Sequence, residues 1–426
     1  MSLCRCECRE ITLLGLQGLA TLNLSEDSTS GAAGGVSVRR LTLTDFRCYR
    51  HLRLNLEASP VVLTGPNGSG KTNLLEGLSF LVPGRGLRRA RLADVVRREK
   101  GAENGDPDSP LRPPSSAWGV AATVMTPAGE VEIGTALEKA ADGKRDKRLV
   151  KIDGETVKSQ AALAEHVGAL WLTPQMDRLF VEGPGARRRF LDRLVFDTDP
   201  AHAGRVNAYE HAMRERMRLL RDGGGEAAWL ATLEDTLARR GVAVAAARLD
   251  VVRRLARHLA GGEGTCKAGA FPGAEISAVG EVESWLADGP ALAVEDKFRD
   301  RLAQERDRDA AEGRTATGPH KSDLKVRHLG NGQTAELCST GEQKALLVAL
   351  VLGTARMRTQ ERGTAPLLLL DEIAAHLDAR RLSVLFDEIS GLGAQVWLTG
   401  TDAGLFKPLA GRAQFFDVAD GNVTAM

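Results

Sequence analysis

Gly65-Pro66-Asn67-Gly68-Ser69-Gly70-Lys71-Thr72 fits the phosphate-loop pattern G-x-x-x-x-G-K-[ST] at every fixed position. Val61-Val62-Leu63-Thr64 before it reads as a short buried strand. Asn73-Leu74-Leu75-Glu76-Gly77-Leu78 after it reads as the start of a helix with an apolar stripe. Strand, glycine loop and helix together form an anion site. Glycines let backbone N–H groups turn toward a triphosphate, and the helix N-terminus adds a partial positive charge. All eight loop residues are therefore candidate ligand contacts. Lys71 is placed to reach the β- and γ-phosphates, and the Thr72 hydroxyl to ligate Mg²⁺.

A second apolar strand, Leu367-Leu368-Leu369-Leu370, runs straight into Asp371-Glu372, and Gln395-Val396-Trp397-Leu398-Thr399 reads as a third. Short, wholly apolar strands predict an α/β sheet covered on both faces. Two carboxylates at the carboxyl end of such a strand sit where open α/β sheets bind ligands. Beside a phosphate loop, Asp371 is a candidate for holding Mg²⁺ and Glu372 for the general base that activates water. The alternative is a strand-end acidic pair capping the next helix.

Composition bounds the partners. The chain has 426 residues with 57 Lys+Arg and 56 Asp+Glu, a formal charge of +1. That balance argues against a uniformly basic nucleic-acid coat, so any DNA site must be a local patch. Aromatics make up 4% of the chain, too few for base stacking to be a main binding mode. The six cysteines lack disulfide or zinc spacing and are expected to be reduced. No apolar run approaches the roughly 20 residues needed to cross a membrane. The N-terminus lacks a basic start followed by an apolar core. These features predict a cytoplasmic protein without a membrane partner.

Along the chain, residues 1–36 are expected to be a disordered extension, because Ser, Gly and Ala crowd residues 25–35. Strand-like alternation begins with Leu41, Leu43 and Phe46. A Pro-rich stretch over residues 100–116 reads as an exposed insertion. Asp142-Gly143 and Asp153-Gly154 are hairpin turn signals. Residues 201–311 read as a helical lobe, with helical spacing in Leu219, Leu230, Leu233 and Leu237 and again in Leu249, Val252, Leu255 and Leu259. The lobe is expected to divide a head made of residues 37–200 and 312–426.

Cys338-Ser339-Thr340-Gly341-Glu342-Gln343-Lys344 precedes an apolar helical run over residues 345–352. By itself a Ser before a helix is an ordinary cap. This heptapeptide resembles the signature motif of ABC-type ATPases, with Cys338 in place of the usual leucine. The resemblance implies that Ser339 and Gly341 bind the γ-phosphate of ATP held by a second subunit, and hence a dimer with shared sites. Gln175, in Thr173-Pro174-Gln175-Met176-Asp177, resembles the Q-loop glutamine near Mg²⁺. Asp378, in Ala375-His376-Leu377-Asp378, resembles the D-loop at the dimer interface. Thr399-Gly400-Thr401 occupies the switch position without the histidine common there.

Lys71 and Ser339 lie about 270 residues apart, much farther than in transporter ATPases, and the insertion is too short and interrupted for the long arms of SMC proteins. The whole resembles the RecF family. The matching residues are Leu43-Thr44-Asp45-Phe46-Arg47-Cys48-Tyr49, Pro83-Gly84-Arg85-Gly86-Leu87-Arg88, Gly183-Pro184-Gly185-Ala186-Arg187-Arg188-Arg189-Phe190-Leu191-Asp192 and Thr317-Gly318-Pro319-His320-Lys321-Ser322-Asp323-Leu324, besides the motifs above. The resemblance implies an ABC-type ATPase head with a mainly helical second lobe. It implies ATP-dependent dimerisation on duplex and gapped DNA, slow hydrolysis, nucleoid association, and cooperation with RecR and RecO in loading RecA. Arg47 is a candidate nucleotide contact, with a surface ion pair as the alternative. Among the basic clusters, Arg85, Arg88, Arg89 and Arg91 are favoured for DNA backbone. Arg187, Arg188, Arg189 and Arg193 form a second cluster, and Lys144, Arg145, Lys147, Arg148 and Lys151 a third. An ATP-binding DNA clamp without turnover and an ABC transporter subunit are the alternative functions.

Overall fold

The computed structural model of the chain describes residues 35–97, 117–138, 146–223, 226–260, 271–375 and 377–426. The expected extension over 1–36 falls outside the described residues except for its last two positions. The Pro-rich insertion over 100–116, Asp142-Gly143, Lys144, Arg145 and His376 lie outside them.

The organising element is a six-stranded sheet. Its strands lie in the order Asn422–Ala425, Gln414–Ala419, Val61–Thr64, Val396–Gly400, Leu367–Leu370 and Ala169–Leu172. Every pairing is parallel except that of the first two strands. The apolar strands predicted to be covered on both faces are buried along their whole length. Successive side chains point to opposite faces, so each strand feeds two cores. Val62, Leu368, Leu370, Val396 and Leu398 pack with the helix Thr340–Arg362. Val61, Leu63, Leu367, Leu369 and Trp397 pack with the helix Lys71–Ser79 and a second sheet.

That second sheet is antiparallel, with Tyr49–Asn55, Ser37–Phe46, Gly119–Thr126, Gly129–Glu138, Lys147–Ile152 and Glu155–Thr156 in order. Leu41 and Leu43 are buried two residues apart, as alternation predicts, whereas Phe46 breaks the alternation, following Asp45 with φ of 46°, and is buried in the same core. Asp153 and Gly154 form the expected turn with φ of 48° and 82°, which matches the twist of the strands they join. Gln395 ties the two sheets together. Its side chain accepts from the Val38 N–H at 2.9 Å and donates to the carbonyls of Val38 at 3.1 Å and Glu57 at 2.7 Å.

Residues 201–311 carry the helices His202–Arg221, Ala227–Leu259, Glu281–Asp288, Ala291–Gln304 and Arg306–Glu312. They also carry the strand Ala274–Val279, a departure from the helical reading. Its buried positions Ala274, Ile276 and Ala278 alternate correctly, but alanine gives little strand signal. This strand pairs antiparallel with Asp323–His328, which leads toward Ser339.

Gly318-Pro319-His320 pins the helices at this junction. Gly318 has φ of 142°, and a Cβ there would meet the Tyr209 hydroxyl. Tyr209 donates to His320 Nδ1 at 2.7 Å, and His320 Nε2 donates to the Thr315 carbonyl at 2.9 Å. With the ring neutral, the Nε2 proton goes to the Thr315 carbonyl and Nδ1 is left to accept from Tyr209, so both ring nitrogens are used. Arg248 forks Asp192 at 2.8 and 2.9 Å and donates to the Pro319 carbonyl at 2.6 Å. Arg187 likewise forks Asp323 at 2.7 and 2.9 Å. These motifs therefore act as structural clamps.

Burial pushes the His320 imidazole down from 6.5 to about 4. The unfolded chain takes up a proton first as pH falls, so this group's stability is complete above pH 6.5 and is lost between 6.5 and about 4. The loss is on the order of 3 kcal/mol. Urea unfolding across that window should show a flatter pH dependence in His320→Gln than in the parent chain. Equal slopes would contradict the neutral-imidazole clamp.

Candidate nucleotide site

The loop of residues 65–72 joins the strand Val61–Thr64 to the helix Lys71–Ser79, as its flanks predict. Leu74, Leu75 and Leu78 are fully buried, and each contributes about 1.5–3 kcal/mol toward holding that helix on the sheet. Gly65, Gly68 and Gly70 have φ of 141°, 81° and 120°, conformations that other residues avoid. A Cβ on Gly70 would meet the Tyr49 hydroxyl and the Cys48 thiol, while the space beside Gly68 is open. Tyr49, buried itself, donates to the Gly70 carbonyl at 3.0 Å and braces the loop from below.

Lys71 is buried and donates to the Gly65 and Pro66 carbonyls at 2.7 and 3.0 Å. Its Nζ lies 3.6 Å from Glu372 Oε1. Thr72 donates to Asp371 Oδ1 and Oδ2 at 3.0 and 3.1 Å. Thr399 donates to Asp371 Oδ1 at 2.8 Å and accepts from the Glu372 N–H at 2.8 Å. Burial raises the Asp371 carboxyl, against the two threonine hydrogen bonds and the nearby Arg88 and Lys71 charges that lower it. Glu372 has φ of 49°, a left-handed conformation of the kind held in place at functional sites.

This donor set fits a phosphate and a hard cation. Ser69 Oγ is buried without a hydrogen-bond partner inside the glycine turn. Thr72 and Asp371 offer oxygen ligands only, which suits Mg²⁺, an ion that keeps waters and phosphate oxygens in its shell. No cluster of three or more His, Cys, Asp or Glu side chains able to hold a metal occurs among the described residues.

Gln175 is exposed in the turn after Ala169–Leu172, the strand hydrogen-bonded to that of Asp371. Its side chain makes no hydrogen bond to Thr72 or Asp371. Ser339 caps the helix Thr340–Arg362 in a reciprocal box with Glu342. Asp378 caps the helix Ala379–Gly391 by accepting from the Arg381 N–H at 2.8 Å. Arg381 Nη1 in turn donates to the Gly341 carbonyl at 3.3 Å, which joins the start of the helix Thr340–Arg362 to that of the helix Ala379–Gly391. No hydrogen bond or ion pair links Ser339, Gly341 or Asp378 to residues 65–72 among the described residues.

The arginines sort differently from their order in the sequence. Arg47 forks Glu76 through Nε and Nη2 at 2.8 and 2.7 Å and donates to the Asp94 carbonyl at 2.8 Å, so it is an ion-paired side chain here. Arg88 is bound to Asn73 Oδ1 at 2.7 Å and to Glu76 Oε2 at 3.2 Å. Arg85, Arg89 and Arg91 are exposed. Arg187 is buried on Asp323, Arg188 donates to the Ser322 carbonyl at 2.6 Å, and Arg193 lies over the Trp171 ring. Burial lowers the Arg148 guanidinium to about 9, where it donates to the Val82 and Gly84 carbonyls.

Sequence reasoning passed over Thr399 as a hydrogen-bonding group and Glu76 altogether. The signal for Glu76 was an acid inside an apolar helical stripe, a position that requires a cationic partner.

The RecF/RecN/SMC N-terminal domain model matches residues 37–420. "DNA replication and repair protein RecF" of Mesorhizobium japonicum is 49% identical over 91% of this chain and 97% of its own length. The protein of the same name from Agrobacterium fabrum is 48% identical over 92% and 99%. A solved structure of the recombination mediator protein RecF with ATPrS in the RecFOR pathway aligns at a TM-score of 0.77 and 21% identity, over 92% of this chain and 99% of that one. No helix among the described residues is long and apolar enough to cross a membrane. With a family model spanning nearly all of the described chain and relatives close to half identical over their whole length, the chain belongs to the RecF family.

Proposed function

We propose that this chain is an ATP-binding recombination mediator of DNA repair whose head, residues 37–200 and 312–426, closes with a second copy on duplex or gapped DNA. The bridge that joins Thr72, Asp371 and Thr399 beside Lys71 and Glu372 carries this reading, because it gathers the phosphate loop and the acidic strand end into one site. The backbone of residues 65–72 cradles the phosphates, and Lys71 exchanges its loop carbonyls for phosphate oxygens. Thr72 and Asp371, with Gln175 as a further candidate, would hold Mg²⁺, which would supply charge neutralisation there. Thr399 fixes both the Asp371 carboxylate and the Glu372 backbone, so Glu372 is oriented to take a proton from the attacking water.

Ser339, Gly341 and Asp378 serve the nucleotide of the second copy. The lack of any hydrogen bond or ion pair between them and residues 65–72 among the described residues, and the Arg381 contacts that unite Gly341 and Asp378, support this division. The exposed Arg85, Arg89 and Arg91 contact DNA phosphates with little sequence preference. Turnover times the cycle: nucleotide favours the closed pair and its loss reopens it. By resemblance to its relatives the protein works with RecR, RecO and RecA at gaps, associated with the nucleoid, and the lobe over residues 201–311 stands in place of a longer arm.

Glu372→Gln should lower ATP turnover by about 10²–10⁴-fold while ATP affinity stays unchanged. Parent-like turnover in a steady-state hydrolysis assay would contradict the base assignment. Thr399→Val keeps the shape but leaves the Glu372 N–H and Asp371 each short of a partner. At about 1–3 kcal/mol for such a loss, turnover should fall by about tenfold or more. Unchanged turnover would show that the bridge does not set the geometry.

A further inference from the structure

Glu76 lies on the helix Lys71–Ser79, five residues beyond Lys71, and its side chain is fully buried. Two guanidinium groups converge on it. Arg47 reaches Oε2 at 2.8 Å and Oε1 at 2.7 Å, and Arg88 reaches Oε2 at 3.2 Å. Each arginine also holds something else. Arg47 donates through its side chain to the Asp94 carbonyl at 2.8 Å and through its backbone to the Val95 carbonyl at 2.9 Å. Arg88 donates to Asn73 on the same helix at 2.7 Å.

Glu76 thus grips the segment over residues 85–95 at two places, directly at Arg88 and through Arg47 at Asp94 and Val95. The Glu76 turn adds a further link. Its carbonyl accepts from the Ser79 hydroxyl at 2.6 Å, which accepts from the Leu87 N–H at 2.7 Å. The Arg47 fork compensates this buried carboxylate and Arg88 adds a third contact, so pulling the segment away from the helix breaks charge-assisted hydrogen bonds at both places, and helix and segment move together. Arg89 and Arg91 between the two grips, and Arg85 just before them, are exposed, and no side-chain hydrogen bond or ion pair occupies them among the described residues.

We propose that Glu76 is a positioning residue that ties the arginine segment to the nucleotide-loop helix, so that a polyanionic DNA backbone seated on Arg85, Arg89 and Arg91 changes the placement of Lys71 and Thr72 and thereby ATP turnover. The inference rests on the nucleotide and DNA reading above. It goes beyond it by naming the side chain through which one ligand affects the other. Two sites joined in this way share a coupling free energy, and removing the link removes the coupling while sparing each binding surface.

The test compares ATP turnover with and without duplex DNA, and DNA affinity with its salt dependence, in the parent chain, Glu76→Gln and Glu76→Asp. Gln keeps the shape and loses the charge. Asp keeps the charge but is one methylene too short to span both arginines. The expected result is DNA-stimulated turnover in the parent and a stimulation ratio near 1 in both variants, with DNA affinity changed by less than about twofold. If one variant fails to fold, the other carries the same expectation. Stimulation equal to the parent's in a folded variant overturns the coupling role. Loss of DNA affinity together with stimulation also overturns it, because Glu76 would then only shape the DNA surface. A parent chain whose turnover ignores DNA overturns the DNA-linked reading on which the inference stands.

Discussion

Asp371 accepts hydrogen bonds from two hydroxyls that the chain supplies far apart, Thr72 and Thr399, and the architecture keeps these three side chains together. The carboxylate is only 3% exposed, at the end of a strand with neighbours on both sides. Without those donors it would carry the full cost of burying a charge. Thr399 has a second task, because the oxygen that donates to Asp371 also accepts from the Glu372 N–H. One threonine therefore sets a carboxylate and the backbone of its neighbour. Parallel pairing makes this possible, since Leu370 lies opposite Leu398 and brings the next residues of both strands to the same rim.

The same economy recurs away from the strand ends. Glu76, Asp192 and Asp323 are buried or nearly buried acids, each held by at least one forked arginine. Each joins segments distant in sequence: Arg47 to the loop helix, helix Pro184–Thr198 to helix Ala227–Leu259, and helix Pro184–Thr198 to the strand leading toward Ser339. Breaking such a pair leaves a buried charge exposed to a low dielectric, so these joints resist partial motion. They make the head and the helical stretch packed on it respond as connected bodies, a mechanical requirement for any cycle that converts nucleotide state into closure.

Much of this was legible in the sequence. The phosphate loop, the apolar strands and Asp371-Glu372 are local patterns whose chemistry depends on neighbours a few residues away, and the structure places each on the expected element. Thr399 and Glu76 were not legible in the same way, because their partners lie across the fold. Sequence order grouped Arg85, Arg88, Arg89 and Arg91 together, yet folding commits Arg88 to Glu76 and Asn73 and leaves the other three side chains without a hydrogen bond or ion pair among the described residues. The cluster over residues 187–193 reads as basic, but Arg187 is paired inside the protein. Charge runs count residues and cannot tell a buried fork from a solvated side chain. The strand Ala274–Val279 was hidden for a different reason: its inward positions are mostly alanine, which strand and helix accommodate alike.

The central claim is that the site around Lys71 is completed by Ser339 and Gly341 of a second copy. Light scattering of the purified protein with Mg-ATP, beside a Lys71→Met control, tests it most directly. The account predicts a doubling of mass that needs ATP and is lost in the control. A monomer under every condition, with ATP demonstrably bound, would contradict it.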